Sequence, residues 1–167
     1  MFARRDARKR RRQRPGEVNV YRYLVMAHLL GASAWIGGHL VLLGVVLPGA
    51  RRAGSVAGVL EFEHRFGRIG LLALVVQVAS GALLATRWID DWRTIFSAPT
   101  PAGHLIIAKI VLLALIMALA RHATRRVLPA LTATTLGRFA FHAWVVTALS
   151  VLLLVCGVGV RTGGLVP

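Results

Sequence analysis

The chain has 167 residues, of which 56% are hydrophobic and 16% charged, and its 21 Lys and Arg against 6 Asp and Glu give a formal charge of +15. This composition excludes a disordered chain, and the single cysteine, Cys156, excludes a disulfide-stapled secreted module. Nucleic acid is not the expected partner, because the basic residues lie at the ends of long apolar segments. The composition therefore predicts a membrane protein.

A strongly basic segment opens the chain. Within residues 1–21, all Arg and Lys lie in the first fourteen positions. A signal peptide is not predicted, since the apolar run that follows is too long and lacks a clear cleavage site. We interpret residues 1–21 as a disordered cytoplasmic tail that lies against anionic lipid.

Four apolar segments follow the tail. A bilayer core of about 30 Å takes roughly 20 residues of helix. The predicted spans are about 23–48, 67–88, 103–121 and 139–160. Only the third span contains a charged residue away from its ends, Lys109, which lies about one turn into the helix. The sequence predicts an all-α, four-helix transmembrane bundle over residues 22–161 and a short C-terminal tail at 162–167.

The connecting segments carry boundary signals. Pro48-Gly49 is predicted to end the first helix, and residues 54–66 form an amphipathic lead-in to the second. Trp88 and Trp92 form an aromatic belt at headgroup depth. Pro129 ends the third helix.

The basic tail sets the predicted orientation. It places the N-terminus in the cytoplasm, and four spans return the C-terminus to the same side. The loop charges favour the opposite orientation, because more arginines would lie outside than inside. Those outside are Arg51, Arg52, Arg65, Arg68, Arg121, Arg125, Arg126 and Arg138.

Six histidines are the candidate metal ligands, because each lies in or beside a predicted span and neutral imidazole binds copper, zinc and haem iron. They are His28, His39, His64, His104, His122 and His142. His28 and His39 share one stripe of the first helix, roughly 16 Å apart along its axis. Antiparallel connectivity places His28 and His104 at one level and the other four nearer the opposite face, with His39 deeper.

Two interpretations of these histidines stay open. For His104 and His122 we favour a hydrogen-bonded spectator. The other four converge on a metal or haem, or are spectators too. Methionine and cysteine are scarce, so a histidine site, with Glu61 or Glu63 as helpers, suits Cu(II) or haem better than Cu(I).

Several other residues have structural interpretations. Small residues, among them Gly31, Gly37, Gly38 and Gly81, permit close helix approach, and Trp35 fills a gap between helices. Lys109 either extends to the interface or faces the bundle and pairs with an anionic group, such as a lipid phosphate or a haem propionate.

Three short motifs resemble the copper resistance D (CopD) domain. The stretch from His28 through Trp35 to Gly37-Gly38 resembles its first helix. Arg65–Arg68, leading to Ser80-Gly81, resembles its second helix. Gly103–Lys109 resembles its third helix, and Arg121–Pro129 resembles the basic loop that follows. The resemblance covers about residues 22–160.

This resemblance implies an inner-membrane protein linked to copper uptake or tolerance, often beside a periplasmic copper-binding partner. By motif match, His28, Trp35, Gly37, Gly38 and Lys109 carry over. The chain departs from the family pattern in two places. His104 stands where a basic residue is usual, and an acidic residue is common near His142.

The leading hypothesis is copper binding or transport by a small carrier or binding subunit. A pump is not predicted, since the chain lacks GxxxxGK[ST]. Copper captured by His64, His142 and His122 would pass through His39 towards His28. One alternative is a haem-b electron carrier or oxidoreductase, since the plan is similar to membrane protoporphyrinogen oxidase. The other is a structural subunit or assembly factor in a homo-oligomer or larger complex.

Overall fold

The computed structural model describes residues 15–86 and 101–162, with side chains over 19–86 and 104–160. These residues form helices and short turns, without a strand among them. The main helices are α1 (Pro15–Val41), α2 (Leu47–Ala53), α3 (Ala57–Ala85), α4 (Pro101–His122) and α5 (Leu136–Thr162). The predicted aromatic belt at Trp88 and Trp92 lies outside the described residues, as does most of the basic tail.

Four helical stretches are long and apolar enough to cross a membrane. They are Asn19–Ala53, Ala57–Ala85, His104–Val127 and Ala133–Val160. Large apolar side chains such as Leu30, Leu72 and Phe141 lie exposed on their surfaces. Water solvates such a surface poorly, whereas lipid chains cover it. The predicted all-α, four-helix membrane bundle is confirmed.

The helices pack as two antiparallel pairs. α1 packs most extensively on α3, α4 packs on α5, and α1 also contacts α5. One buried cluster draws side chains from all four spans: Trp35, Leu74, Ile116, Val146 and Leu153. We call the bundle end at the start of α1 the N-terminal end, and the end formed by α2 and the start of α3 the opposite end.

The first helical stretch continues through Pro48, so the prediction that Pro48-Gly49 ends it is wrong. A π-helical turn spans Leu42–Val46, and its last bond runs from the Leu47 N–H to the Leu42 carbonyl. Proline lacks an N–H and its ring collides with the carbonyl four residues earlier in a regular α-helix. The wider π-turn relieves that collision, and Pro48 occupies the first turn of α2.

The stretch ends instead at Gly54, which has φ of 59°. The Ser55 N–H bonds to the Ala50 carbonyl, and the Gly54 N–H reaches the Ala50 and Arg51 carbonyls. This left-handed glycine cap satisfies the last carbonyls of α2. The amphipathic residues predicted to lead into the second helix are themselves helical, because α3 begins at Ala57.

At the other boundaries, α1 begins at Pro15, inside the segment predicted as a tail. α4 is followed by a second π-helical turn, Ala123–Val127, and the chain then turns at residues 128–130. Pro129 lies in that turn, so the predicted end of the third helix is confirmed.

Glycine brings α1 and α3 together along their length. A Cβ at Gly31 would lie 2.8 Å from the Ala73 carbonyl oxygen. A Cβ at Gly38 would lie 1.9 Å from the Phe66 ring, which therefore occupies the space above this glycine. Gly37 and Gly44 meet nothing within 4 Å, so the predicted close approach does not involve them.

Candidate functional site

His28 lies between α1 and α3 near the N-terminal end. Its Nδ1 is 2.9 Å from the Gln77 carbonyl oxygen and 3.2 Å from Ser80 Oγ. The ring rests on Gly81, whose Cβ, if present, would lie 3.0 Å from His28 Cε1. Because a carbonyl only accepts hydrogen bonds, Nδ1 carries the proton and Nε2 of the neutral ring keeps its lone pair.

His39 lies on the same helix, towards the opposite end. Its Nδ1 donates to the Trp35 carbonyl at 2.9 Å, so Nε2 again keeps a lone pair. The ring is held between two aromatic neighbours, with centroid distances of 4.7 Å to Trp35 and 6.3 Å to Phe66. Phe66 in turn stacks on Phe62 at 5.3 Å.

Between these two imidazoles the core is closed by Trp35. Its indole is buried and its Nε1 donates to Ser150 Oγ at 3.0 Å. Ser150 Oγ in turn donates a hydrogen bond to the Val146 carbonyl at 2.8 Å. Trp35 therefore occupies the gap between helices α1 and α5, and its only polar atom is satisfied.

The hydrogen-bonding pattern at His28 and His39 is the one that metal-binding histidines use. A ligating imidazole almost always donates its second ring N–H to a carbonyl, a carboxylate or water, which fixes the tautomer and the ring orientation. Both rings donate through Nδ1 to a main-chain carbonyl and direct Nε2 elsewhere. Each ring could therefore offer one oriented nitrogen, Nε2, to a metal ion.

Lys109 introduces a positive charge at the level of His28. It is half-buried on α4, and its Nζ lies 3.2 Å from where a Cβ of Gly157 would be. The side chain therefore lies against α5, where Cys156 is buried. No carboxylate pairs with it among the described residues, where the one ion pair joins Arg65 and Glu61 at 2.6 Å.

A second pair of histidines lies at the opposite end, between α4 and α5. The rings of His122 and His142 have centroids 6.0 Å apart. His142 Nε2 donates to the Leu119 carbonyl at 3.0 Å. The pair lines a cleft of about 880 Å³ together with Arg126 and Arg138.

The remaining candidates lie on the surface. His64 and His104 are exposed, on α3 and α4 respectively. Glu61 is exposed and held by Arg65, whereas Glu63 is half-buried. Over residues 15–86 and 101–162, the structure brings no three His, Cys, Asp or Glu side chains together as a metal cage. The six histidines therefore divide into an interior pair, a cleft pair of which His122 is exposed, and two exposed residues outside the cleft.

Several residues that shape these places were absent from the sequence-based set. Ser80 and Ser150 bond the interior rings, but an isolated serine in an apolar helix carries no recognisable signal. Arg126 and Arg138 were interpreted as loop charges. Their signal was present in the spacing, because each arginine lies four residues from a cleft histidine and so shares its helix face.

Comparison with known protein families finds one whose members share this sequence pattern. The family described as copper resistance protein D matches residues 60–160, which include most of α3, all of α4 and most of α5. A search of curated proteins finds no match. A search of solved structures finds none either.

Proposed function

Because the chain belongs to the copper resistance protein D family, we propose that it binds copper within the membrane and passes it along the interior histidines His28 and His39. Membership confirms the CopD resemblance, and the matched residues begin after the first-helix motif. The bundle is thus a multi-pass membrane protein of a copper-resistance family.

One observation carries the proposal. Two imidazoles on one stripe of α1 each donate Nδ1 to a carbonyl and keep a lone pair on Nε2. They lie about 16 Å apart along the helix axis, which is far beyond the roughly 2 Å of a metal–nitrogen bond. His28 and His39 are therefore two separate binding levels, and copper moves between them as cargo.

The exposed His64 lies on α3, two residues before the Phe66 ring that contacts His39. We assign it the first contact with copper at the opposite end. The sequence-based hypothesis also included His122 and His142 in copper capture. Arg126 and Arg138 beside them repel a cation, so the proposal does not use that pair.

The proposal also gives a role to the positive charge of Lys109. A cation at His28 is repelled by a nearby ammonium group, and this repulsion is weakly screened inside a membrane protein. Lys109 therefore lowers the affinity of the His28 level for copper. A lower affinity at this last site helps the copper ion to leave the protein.

The wider assignment follows from the family and the basic tail. We propose that the protein lies in the inner membrane with both termini in the cytoplasm, and that a periplasmic copper-binding partner supplies or receives the ion. The four spans are consistent with both termini on one side, since Asn19 and Val160 begin the first and end the fourth.

The test is copper analysis and an absorption spectrum on the same detergent-purified, full-length protein. We expect bound copper and no Soret band. In the double variant His28→Ala/His39→Ala we expect copper per chain to fall at least about tenfold, since each substitution removes a nitrogen ligand. The matched control, His104→Ala/His122→Ala, removes two exposed histidines that the proposal does not use, so its copper per chain should match the wild type.

Two outcomes would replace this proposal. A Soret band in protein from haem-replete cells would favour the haem-b alternative. Protein without copper or haem that co-purifies with a larger complex would favour a structural or assembly subunit. Equal copper in the wild type and in His28→Ala/His39→Ala would contradict the assignment of the site.

A further inference from the structure

The cleft between α4 and α5 gathers arginine and histidine side chains from two facing helices. His122 and Arg126 lie four residues apart at the end of the third span, and Arg138 and His142 lie four residues apart at the start of α5. Residues four apart share one helix face. Each helix therefore presents one arginine and one histidine to the same space of about 880 Å³.

Among the described side chains, no carboxylate lines the cleft beside these groups. Residues 92–167 contain no Asp or Glu, so neither α4 nor α5 can supply one. The described part of the first span, Asn19–Ala53, contains none either. Glu61 and Glu63 on α3 do not line the cleft, and Glu61 is already paired with Arg65. Two arginines in one cleft, with no carboxylate among its lining residues, favour the binding of an anion.

The other residues of the cleft indicate what kind of anion fits. Val127, Ala130 and Phe141 add apolar surface beside the arginines, and Phe141 is 72% exposed. One turn further along α5, Trp144 is 60% exposed. Exposed aromatic rings near the ends of membrane-spanning helices lie at headgroup depth. A ligand for this place has a charged head and an apolar body.

We propose that the cleft binds the phosphate of an anionic phospholipid, with Arg126 and Arg138 as the phosphate ligands and Phe141 against the acyl chain. Arginine suits this role because its planar guanidinium donates two parallel hydrogen bonds to phosphate oxygens. Thr135, which precedes α5 and bonds to the Thr132 backbone, also lines the cleft. The bound lipid neutralises the arginines and fixes the turn between α4 and α5.

The test measures stabilisation of the full-length protein in detergent by added lipid. Dioleoyl phosphatidylglycerol, dioleoyl phosphatidylcholine and inorganic phosphate are titrated separately, and apparent dissociation constants are taken from the rise in thermal midpoint. We expect phosphatidylglycerol to stabilise the wild type most. In Arg126→Gln/Arg138→Gln its affinity should fall about thirtyfold, since each basic residue at a membrane surface contributes roughly a factor of five.

The matched control is Arg121→Gln/Arg125→Gln, which removes the same charge from exposed positions outside the cleft. We expect it to retain the wild-type affinity. Size-exclusion and circular dichroism establish that each variant is folded. If the double cleft variant does not fold, Arg138→Gln alone is used, with an expected loss of about fivefold.

Three results would overturn the proposal. Equal losses in the cleft and control variants would mean that only overall charge matters. Equal stabilisation by phosphatidylcholine would remove the requirement for an anionic lipid. Equal stabilisation by inorganic phosphate would assign the cleft to the free ion.

Discussion

The two histidine pairs of this bundle have similar rings in opposite surroundings. His28 and His39 lie beside serine, glycine and aromatic residues, and each donates a hydrogen bond to a main-chain carbonyl. His122 and His142 lie in an open cleft with two arginines. Two imidazoles that lie close together therefore do not by themselves indicate a copper site. The closer pair, at 6.0 Å, has the less suitable charge environment for a cation.

The two regions also differ in how tightly they are packed, which gives the largest expected effect on stability. A Cβ at Gly38, beside His39, would lie 1.9 Å from the Phe66 ring. We expect Gly38→Ala to destabilise the protein by about 1–3 kcal/mol, as overpacking does. The measurement is the thermal midpoint of the purified protein in detergent.

Gly137 in the cleft is the control for this substitution, because a Cβ there meets nothing within 4 Å. Gly137→Ala should leave the midpoint unchanged or raise it slightly, since alanine favours helix. Similar losses in both variants would mean that the interior is not packed more tightly than the cleft.

The hydrogen bond between Trp35 and Ser150 lies in the core beside the interior histidine pair. Ser150→Ala leaves the buried Trp35 Nε1–H without an acceptor, which costs about 1–2 kcal/mol. We expect a lower thermal midpoint in detergent. Trp35→Phe/Ser150→Ala removes both partners of the bond. Its thermal midpoint should therefore fall by less than the sum of the falls in Trp35→Phe and in Ser150→Ala. Additive losses would show that this bond contributes little.

Lys109 gives a prediction of opposite sign, which sharpens the contrast between a cation site and an anion site. Lys109→Leu removes the positive charge that acts on His28, so copper affinity should rise by up to about tenfold. Competition with a copper chelator measures it. Arg125→Leu, which removes an exposed charge at the opposite end, should change nothing. A fall in affinity for Lys109→Leu would mean that Lys109 supports the site.

The smallest expected effect is the difference in how salt changes ligand binding in the two regions. The cleft arginines bind lipid through charges near the surface, which salt screens over about 8 Å at physiological ionic strength. Raising NaCl from 0.05 to 0.5 M should weaken phosphatidylglycerol binding about threefold and leave copper per chain unchanged. Equal sensitivity of both would contradict the division into an interior cation site and an exposed anion site.

The sequence predicted the features that depend on composition and periodicity. The four spans follow from apolar length, and the close approach at Gly31 and Gly38 follows from small residues on one helix stripe. Trp35 was expected between helices and is buried there. These features are local properties of a single helix, so the chain alone carries them.

Features that depend on helix rotation or local hydrogen bonding were not predictable in this way. The π-turn at Leu42–Val46 carries the helix past Pro48, and no residue type signals such a turn. Rotation about the helix axis leaves His64 and His104 exposed while His28 faces α3. The cleft arises only when the arginine faces of α4 and α5 meet, which requires the packed bundle.

The central claim is that surroundings, and not ring proximity, decide which histidines hold copper. Its most direct test is copper per chain, after identical loading, in His28→Ala/His39→Ala and in His122→Ala/His142→Ala. Our account predicts that the first variant loses its copper while the second matches the wild type. Retention of copper by the first and loss by the second would contradict it.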